Sequence, residues 1–152
     1  MTQTEQYLYR YYQLERLKSV ANDDLRRAVA EYNERAESLL KPKTMTEPQG
    51  GRTNRVSDPV QDAVVAMVDT YLREIKKAEE ALNKLIAEQD SISETVEKAG
   101  LNVMEKSYVL MRYFKGNRTW QTAQHMQYSE RQANRYRVSA LQKIQSVMKD
   151  GR

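Results

Sequence analysis

The chain has no cysteine, one histidine, one tryptophan and one phenylalanine. Without thiols there are no disulfides and no thiolate metal ligands, which fits an intracellular protein. One histidine cannot furnish a histidine-based metal site or a conventional Ser-His-Asp triad. Only three prolines and five glycines punctuate 152 residues, so long helices are the expected architecture. No apolar run approaches the roughly 20 residues a membrane span requires, and the polar start has no signal-peptide pattern. A cytoplasmic location in a bacterial cell is expected, with no membrane partner. Gly50-Gly51 is not followed by the Lys-Ser/Thr of a phosphate-cradling loop. Glu79, Glu80, Glu88, Glu94 and Glu97 read as a solvated helix flank and not as a catalytic pair. The residues therefore suggest no enzyme and no cofactor.

What is present is unevenly distributed. The formal net charge of +4 separates into −3 over residues 1–111 and +7 over residues 112–152. The basic end consists of Arg112, Lys115, Arg118, Arg131, Arg135, Arg137, Lys143, Lys149 and Arg152 against Glu130 and Asp150. A basic module on a nearly neutral arm fits a polyanion ligand, although a merely solvated basic surface has the same composition.

From Thr4 to Leu40 neither Pro nor Gly occurs. Tyr7, Tyr11, Leu14, Ala21, Leu25, Ala28, Tyr32 and Leu39 trace one seam, broken at Lys18 and Arg35. This predicts one long helix, or two collinear ones if Asn22–Asp24 interrupts. Residues 41–57, rich in Pro, Gly and polar residues, read as a linker; the alternative makes Lys41, Lys43, Arg52 and Arg55 a phosphate-touching arm. Ser57 or Asp58 then caps a second helix with Pro59 in its first turn.

That helix carries a stronger seam: Val64, Val68, Tyr71, Ile75, Ala78, Leu82, Leu85, Gln89, Ile92, Val96 and Ala99. Ten of these eleven are apolar or tyrosine in steps of four and three, and Gln89 is the single polar break. Such a heptad pattern is a coiled-coil signal, with one polar residue able to set register. Val64, Val68, Tyr71, Ile75, Leu82, Leu85 and Ile92 are the candidate oligomerisation residues, and whether the seam pairs in cis or in trans stays open. A thin hairpin buries little, so a homo-oligomer, with a dimer favoured, is expected. The division is thus an arm over residues 1–100 and a second domain over 101–152.

Beyond Gly100 the pattern shortens. Asn102 and Glu105 form a capping box ahead of residues 103–115, which place Met104, Tyr108, Met111 and Phe114 on one face. Gly116-Asn117 ends that helix. Thr119 is expected to cap the next, with Trp120 as a core anchor in preference to a stacking platform, followed by Ala123 and Met126. Ser129 caps the last helix, with Ala133, Tyr136, Ala140, Leu141, Ile144 and Val147 inward. Ala123 allows close helix crossing, Tyr128 is expected to be buried in the turn, and a polar helix start follows: a helix-turn-helix that binds double-stranded DNA. Glu130, Arg131, Asn134 and Arg135 share the outward face, where Arg suits guanine, Asn adenine and Glu cytosine. Arg118, Thr119, Ser129, Gln132, Arg137 and Lys143 complete the candidate DNA contacts. Arg137 and Lys143 are expected on phosphate, where their replacement would chiefly flatten salt dependence. His125 falls on the surface nearby.

The segment TWQTAQHMQYSERQANRYRVSALQKI, residues 119–144, resembles region 4 of bacterial sigma factors. The whole chain resembles the small ArpU-like regulators of phage late transcription, in its helical arm, its linker and the motif of Tyr113, Phe114, Lys115, Gly116 and Trp120. The resemblance implies an all-α protein acting as a transcription regulator, with RNA polymerase as a further candidate partner. It puts Glu130, Arg131, Asn134 and Arg135 at base-facing positions, with Ser129 and Gln132 nearer phosphate. Sigma proteins often have arginine where this chain has Glu130 and Asn134, so its site should differ from a promoter −35 element. Two other functions fit the same pattern: a phage terminase small subunit that recognises packaging-site DNA, and an interaction protein whose basic end grips an acidic partner.

Overall fold

A computed structural model describes residues 1–40 and 59–151. The expected linker at 41–57 and the cap at Ser57 or Asp58 lie outside the described residues. The fold is all-α, and the described residues contain no strand. In chain order the elements are α1 (Gln3–Leu40), α2 (Pro59–Lys98), α3 (Val103–Val109), α4 (Thr119–Met126) and α5 (Glu130–Asp150), with a π-helical turn, Leu110–Phe114, extending α3. Among the described residues no helix is long and apolar enough to cross a membrane.

Helix α1 is one continuous helix, so Asn22–Asp24 does not interrupt it. Its start has a capping box: the Glu5 N–H donates to Thr2 Oγ1 at 3.3 Å, and the Thr2 N–H donates to Glu5 Oε2 at 2.8 Å. The expected box at Asn102 and Glu105 is also present, with both reciprocal bonds at 2.8–2.9 Å.

The chain divides into two compact units. The first joins Met1–Ser19 to Lys84–Arg152, and the second is Val20–Asn83. The first unit therefore extends beyond the sequence-based boundary at residue 101, and packing explains the difference. Tyr108, Val109, Tyr113, Ala123, Ala133, Ala140 and Ile144 do not close a core among themselves. Leu8 and Leu14 of α1, with Ile92 and Val96 of α2, complete it. Leu8 and Leu14 are wholly buried, and truncating a leucine in such a place typically costs about 2–5 kcal/mol.

The seam of α2 is used within the chain. In the second unit Tyr71 meets Tyr32 of α1 edge-on, ring centres 6.4 Å apart, so the pairing there is in cis. Val64, Val68, Tyr71, Ile75 and Leu82 are all half-buried. In the first unit Ile92 is a core residue and Leu85 packs against that core. The sequence assigns these seven residues to self-association; Tyr71, Leu85 and Ile92 have partners within the chain, and the other four are half-buried.

The two seam breaks in the first unit meet each other. Lys18 Nζ donates to Gln89 Oε1 at 2.6 Å, and Gln89 Nε2 donates to Glu15 Oε2 at 2.6 Å. Gln89 is buried yet satisfied, which is what a polar seam residue needs if it is to select one register without a large penalty.

Two aromatics depart from expectation. Trp120 is 51% exposed and is not a core anchor. On α4 it shares a face with Gln124, while the buried residues are Thr122 and Ala123. Tyr128 is 38% exposed and its ring lies tilted against Tyr136, with ring centres 5.5 Å apart. The tight turn is instead made by backbone. Gln127 adopts a left-handed conformation (φ 60°), and the Tyr128 N–H donates to the Ala123 carbonyl. Met104, expected inward, is also exposed.

The π-helical turn delivers the chain to α4. The Lys115 N–H reaches back to the Leu110 carbonyl, Phe114 stacks on Tyr11 at 3.8 Å, and Gly116 follows at φ 73°. A Cβ at Gly116 would sit 2.9 Å from the Tyr12 ring, whereas one at Gly100 (φ 60°) would meet nothing within 4 Å. Both substitutions strain a left-handed backbone by about 1–2 kcal/mol, and only Gly116→Ala must also displace Tyr12. Gly116→Ala should lower unfolding free energy by about 1 kcal/mol more than Gly100→Ala in urea melts. Equal losses would mean that Tyr12 does not confine the turn.

Candidate nucleic-acid interface

Helices α4 and α5 both bring small residues into the core: Ala123 is 2% exposed and Ala133 is fully buried. Ser129 caps α5, its hydroxyl accepting from the Gln132 N–H at 3.2 Å. The first turns of α5 then separate by face. Glu130, Arg131, Asn134 and Arg135 are exposed, while Ala133, Ala140 and Ile144 are buried, and Tyr136, Leu141 and Val147 are half-buried. The outward face expected from the 3.6-residue period is therefore assembled, and its four side chains are accessible together.

The flanking candidates take more individual positions. Arg118, not Thr119, is the N-cap of α4; its N–H donates to the Gln121 side chain at 2.9 Å, and Thr119 is the first helical residue. Arg118 and Thr119 are both exposed. Gln132 is half-buried and its Oε1 accepts from Arg135 Nη1 at 3.4 Å. Lys115 and His125 are exposed as well. Among the described residues no cluster of three or more His, Cys, Asp or Glu is placed to hold a metal ion.

Arg137 and Lys143 have a role that the sequence does not announce. Arg137 donates through Nε (3.0 Å) and Nη2 (2.6 Å) to Glu5 Oε1, which also accepts from the Tyr113 hydroxyl at 2.8 Å. Lys143 donates to both carboxylate oxygens of Glu105, at 2.7 and 3.0 Å, and Ser139 Oγ donates to the same group. The carboxylates are buried, Glu5 with 6% and Glu105 with 3% of the side chain exposed. Removing either cation would leave a buried charge unpaired, so the first consequence of substitution is structural, with a weaker salt dependence secondary. A charged residue on a helix reads as solvated when its partner lies on another element, here 132 residues away for Arg137 and 38 for Lys143, which is why the pairing escapes sequence inspection. The detectable signal is Thr2-x-x-Glu5, which matches the capping-box pattern at Asn102-x-x-Glu105.

The electrostatics follow from this geometry. Burial alone would raise the Glu5 pKa; hydrogen bonds from Thr2, Tyr113 and Arg137, with the Arg137 charge, outweigh it and hold it at about 2. Glu105 is likewise lowered, as Lys143, Ser139 and the Asn102 N–H overcome burial. Burial, and then the bond to Glu5, raise the Tyr113 phenol, while Glu5 raises the Arg137 guanidinium. Tyr108, edge-on to Tyr113, has a buried hydroxyl without a partner among the described residues, and burial raises its pKa.

No family model, curated protein or solved structure matches the chain.

A carboxylate held below its ordinary value of 4.5 stabilises the fold fully above that pH, and the contribution is lost as the pH falls towards about 2. For Glu5 it is on the order of 3 kcal/mol. Glu5→Gln should be less stable than wild type at pH 7, and the gap should narrow steadily between pH 5 and pH 2 in urea titrations. Parallel stability profiles for the two proteins would show that Glu5 ionisation does not contribute.

Proposed function

We propose that the protein is a sequence-specific regulator that binds double-stranded DNA through the start of α5. The observation that carries this is the coherent exposed face of Glu130, Arg131, Asn134 and Arg135, set on a capped helix whose Ala133 shares a core with Ala123 of α4. A helix presented in this way fits the major groove, which offers donors and acceptors that Arg, Asn and Glu side chains can distinguish. Arg118, Lys115 and Lys149 are exposed cations on the same module and supply the sequence-independent attraction to phosphate. The likeness of residues 119–144 to sigma region 4, and of the chain to ArpU-like regulators, supports the finer reading: a phage-encoded activator of late genes that acts near RNA polymerase.

The test is selection from a random duplex library with the full chain, followed by equilibrium binding to the selected site. Arg131→Ala and Arg135→Ala should each weaken that site by ~1–3 kcal/mol and relax base choice at one position. Equal losses on every sequence would assign those arginines to phosphate and contradict base reading. Selected sites beside packaging origins, in place of late promoters, would favour the terminase small-subunit role.

A further inference from the structure

Asn134 stands at the centre of the exposed face, and its amide is not free to choose its orientation. Arg137 Nη1 lies 3.1 Å from Asn134 Oδ1. Arginine carries donors and no acceptor, so the Asn134 atom facing it must be the carbonyl oxygen and not the NH2 group. Arg137 is itself fixed: Nε and Nη2 both bind Glu5, whose other oxygen is held by the Thr2 N–H. Glu5 is in turn buried and also receives Tyr113. The line from the first turn of α1 to the reading face of α5 is therefore continuous: Thr2, Glu5, Arg137, Asn134. Among the described residues Asn134 Nδ2 has no partner, and it is the amide atom left for a ligand.

We infer that Arg137 and Glu5 are positioning residues that present Asn134 to DNA as a hydrogen-bond donor. The inference rests on the DNA-binding reading above and deepens it. An asparagine that pairs with adenine uses both amide atoms, donating to N7 and accepting from N6. Here the accepting atom is engaged by a charged donor, and charge-assisted bonds are the stronger kind. Adenine would have to bring its N6 donor onto the remaining lone pair of that oxygen, beside the Arg137 cation. Guanine, with adjacent acceptors at O6 and N7, suits a donor alone. The preference of Asn134 is thus set by a residue outside the reading face, and indirectly by a carboxylate more than a hundred residues earlier in the chain.

The experiment is random-library selection with the full chain and four variants. Asn134→Ala identifies the base position that Asn134 reads, as the one whose preference flattens. Wild type should select guanine there, and Asn134→Asp, which replaces the donor with an acceptor, should lose on the order of ten-fold in affinity for that base. Arg137→Lys keeps a cation for Glu5 but cannot reach Glu5 and Asn134 at once. It should shift the preference at that position towards adenine and leave the positions read by Arg131 and Arg135 unchanged. Glu5→Gln combined with Arg137→Met removes both charges, avoids a bare buried carboxylate, and should give the same shift. Circular dichroism melts show which of the two is folded, and either one suffices. Adenine selected by wild type at that position, or a preference untouched by both Arg137 variants, would overturn the inference while leaving DNA reading intact. No sequence preference for wild type at any position would overturn the DNA reading itself, and the inference with it.

Discussion

The ion pair between Glu5 and Arg137 joins the first turn of the chain to the helix that carries the candidate reading face. Its value lies in what each partner is already doing. Glu5 closes the capping box of α1, so its backbone and one carboxylate oxygen are placed before the guanidinium arrives. Arg137 lies two turns into α5, where any tilt or roll of that helix would break two short bonds at once. Glu105 repeats the device: it closes the capping box of α3 and holds Lys143, two turns further along α5. A helix held at two points by buried carboxylates has its rotation about its own axis restricted. Rotation is the coordinate that decides which residues would face a groove.

The arrangement also explains why residues so distant in sequence share one core. Residues 103–150 alone form two short helices and the longer α5, whose inward faces are mainly alanine, tyrosine and a few aliphatics, too little to exclude water from two ion pairs. Leu8, Leu14, Ile92 and Val96 supply the missing apolar wall. Desolvation then makes the carboxylates depend on their partners, and satisfied partners make burial tolerable. The Lys18–Gln89–Glu15 group sits beside this wall and restricts the sliding of α1 along α2, because a shift by one turn would bury the same polar groups without partners.

Much of this was legible in the sequence, for identifiable reasons. Local rules worked: the box at Asn102 and Glu105, the helix end at Gly116-Asn117, the cap at Ser129, and the two faces of α5 all follow from residues within one or two turns of each other. What needed a distant partner did not show. Lys18 and Gln89 were visible as separate breaks in two seams, but not as a pair. Arg137 and Lys143 looked like solvent-facing cations, because nothing local marks Glu5 or Glu105 as their partners. Trp120 sits in a helix of eight residues, too short for periodicity to tell an inner from an outer face, and Tyr128 lies in the turn beyond it, where no periodicity applies. The α2 seam was read correctly as a packing stripe, while its partner, α1 of the same chain, required the structure.

The start of α1 holds α5 in place, and the two form one cooperative body. Native-state hydrogen exchange on the full chain tests this most directly. Amides of α5 around Ala140–Ile144 and of α1 around Leu8–Leu14 should open with the same free energy, and Glu5→Ala should lower both together. Strong protection persisting in α5 while the Leu8–Leu14 amides exchange freely would contradict it.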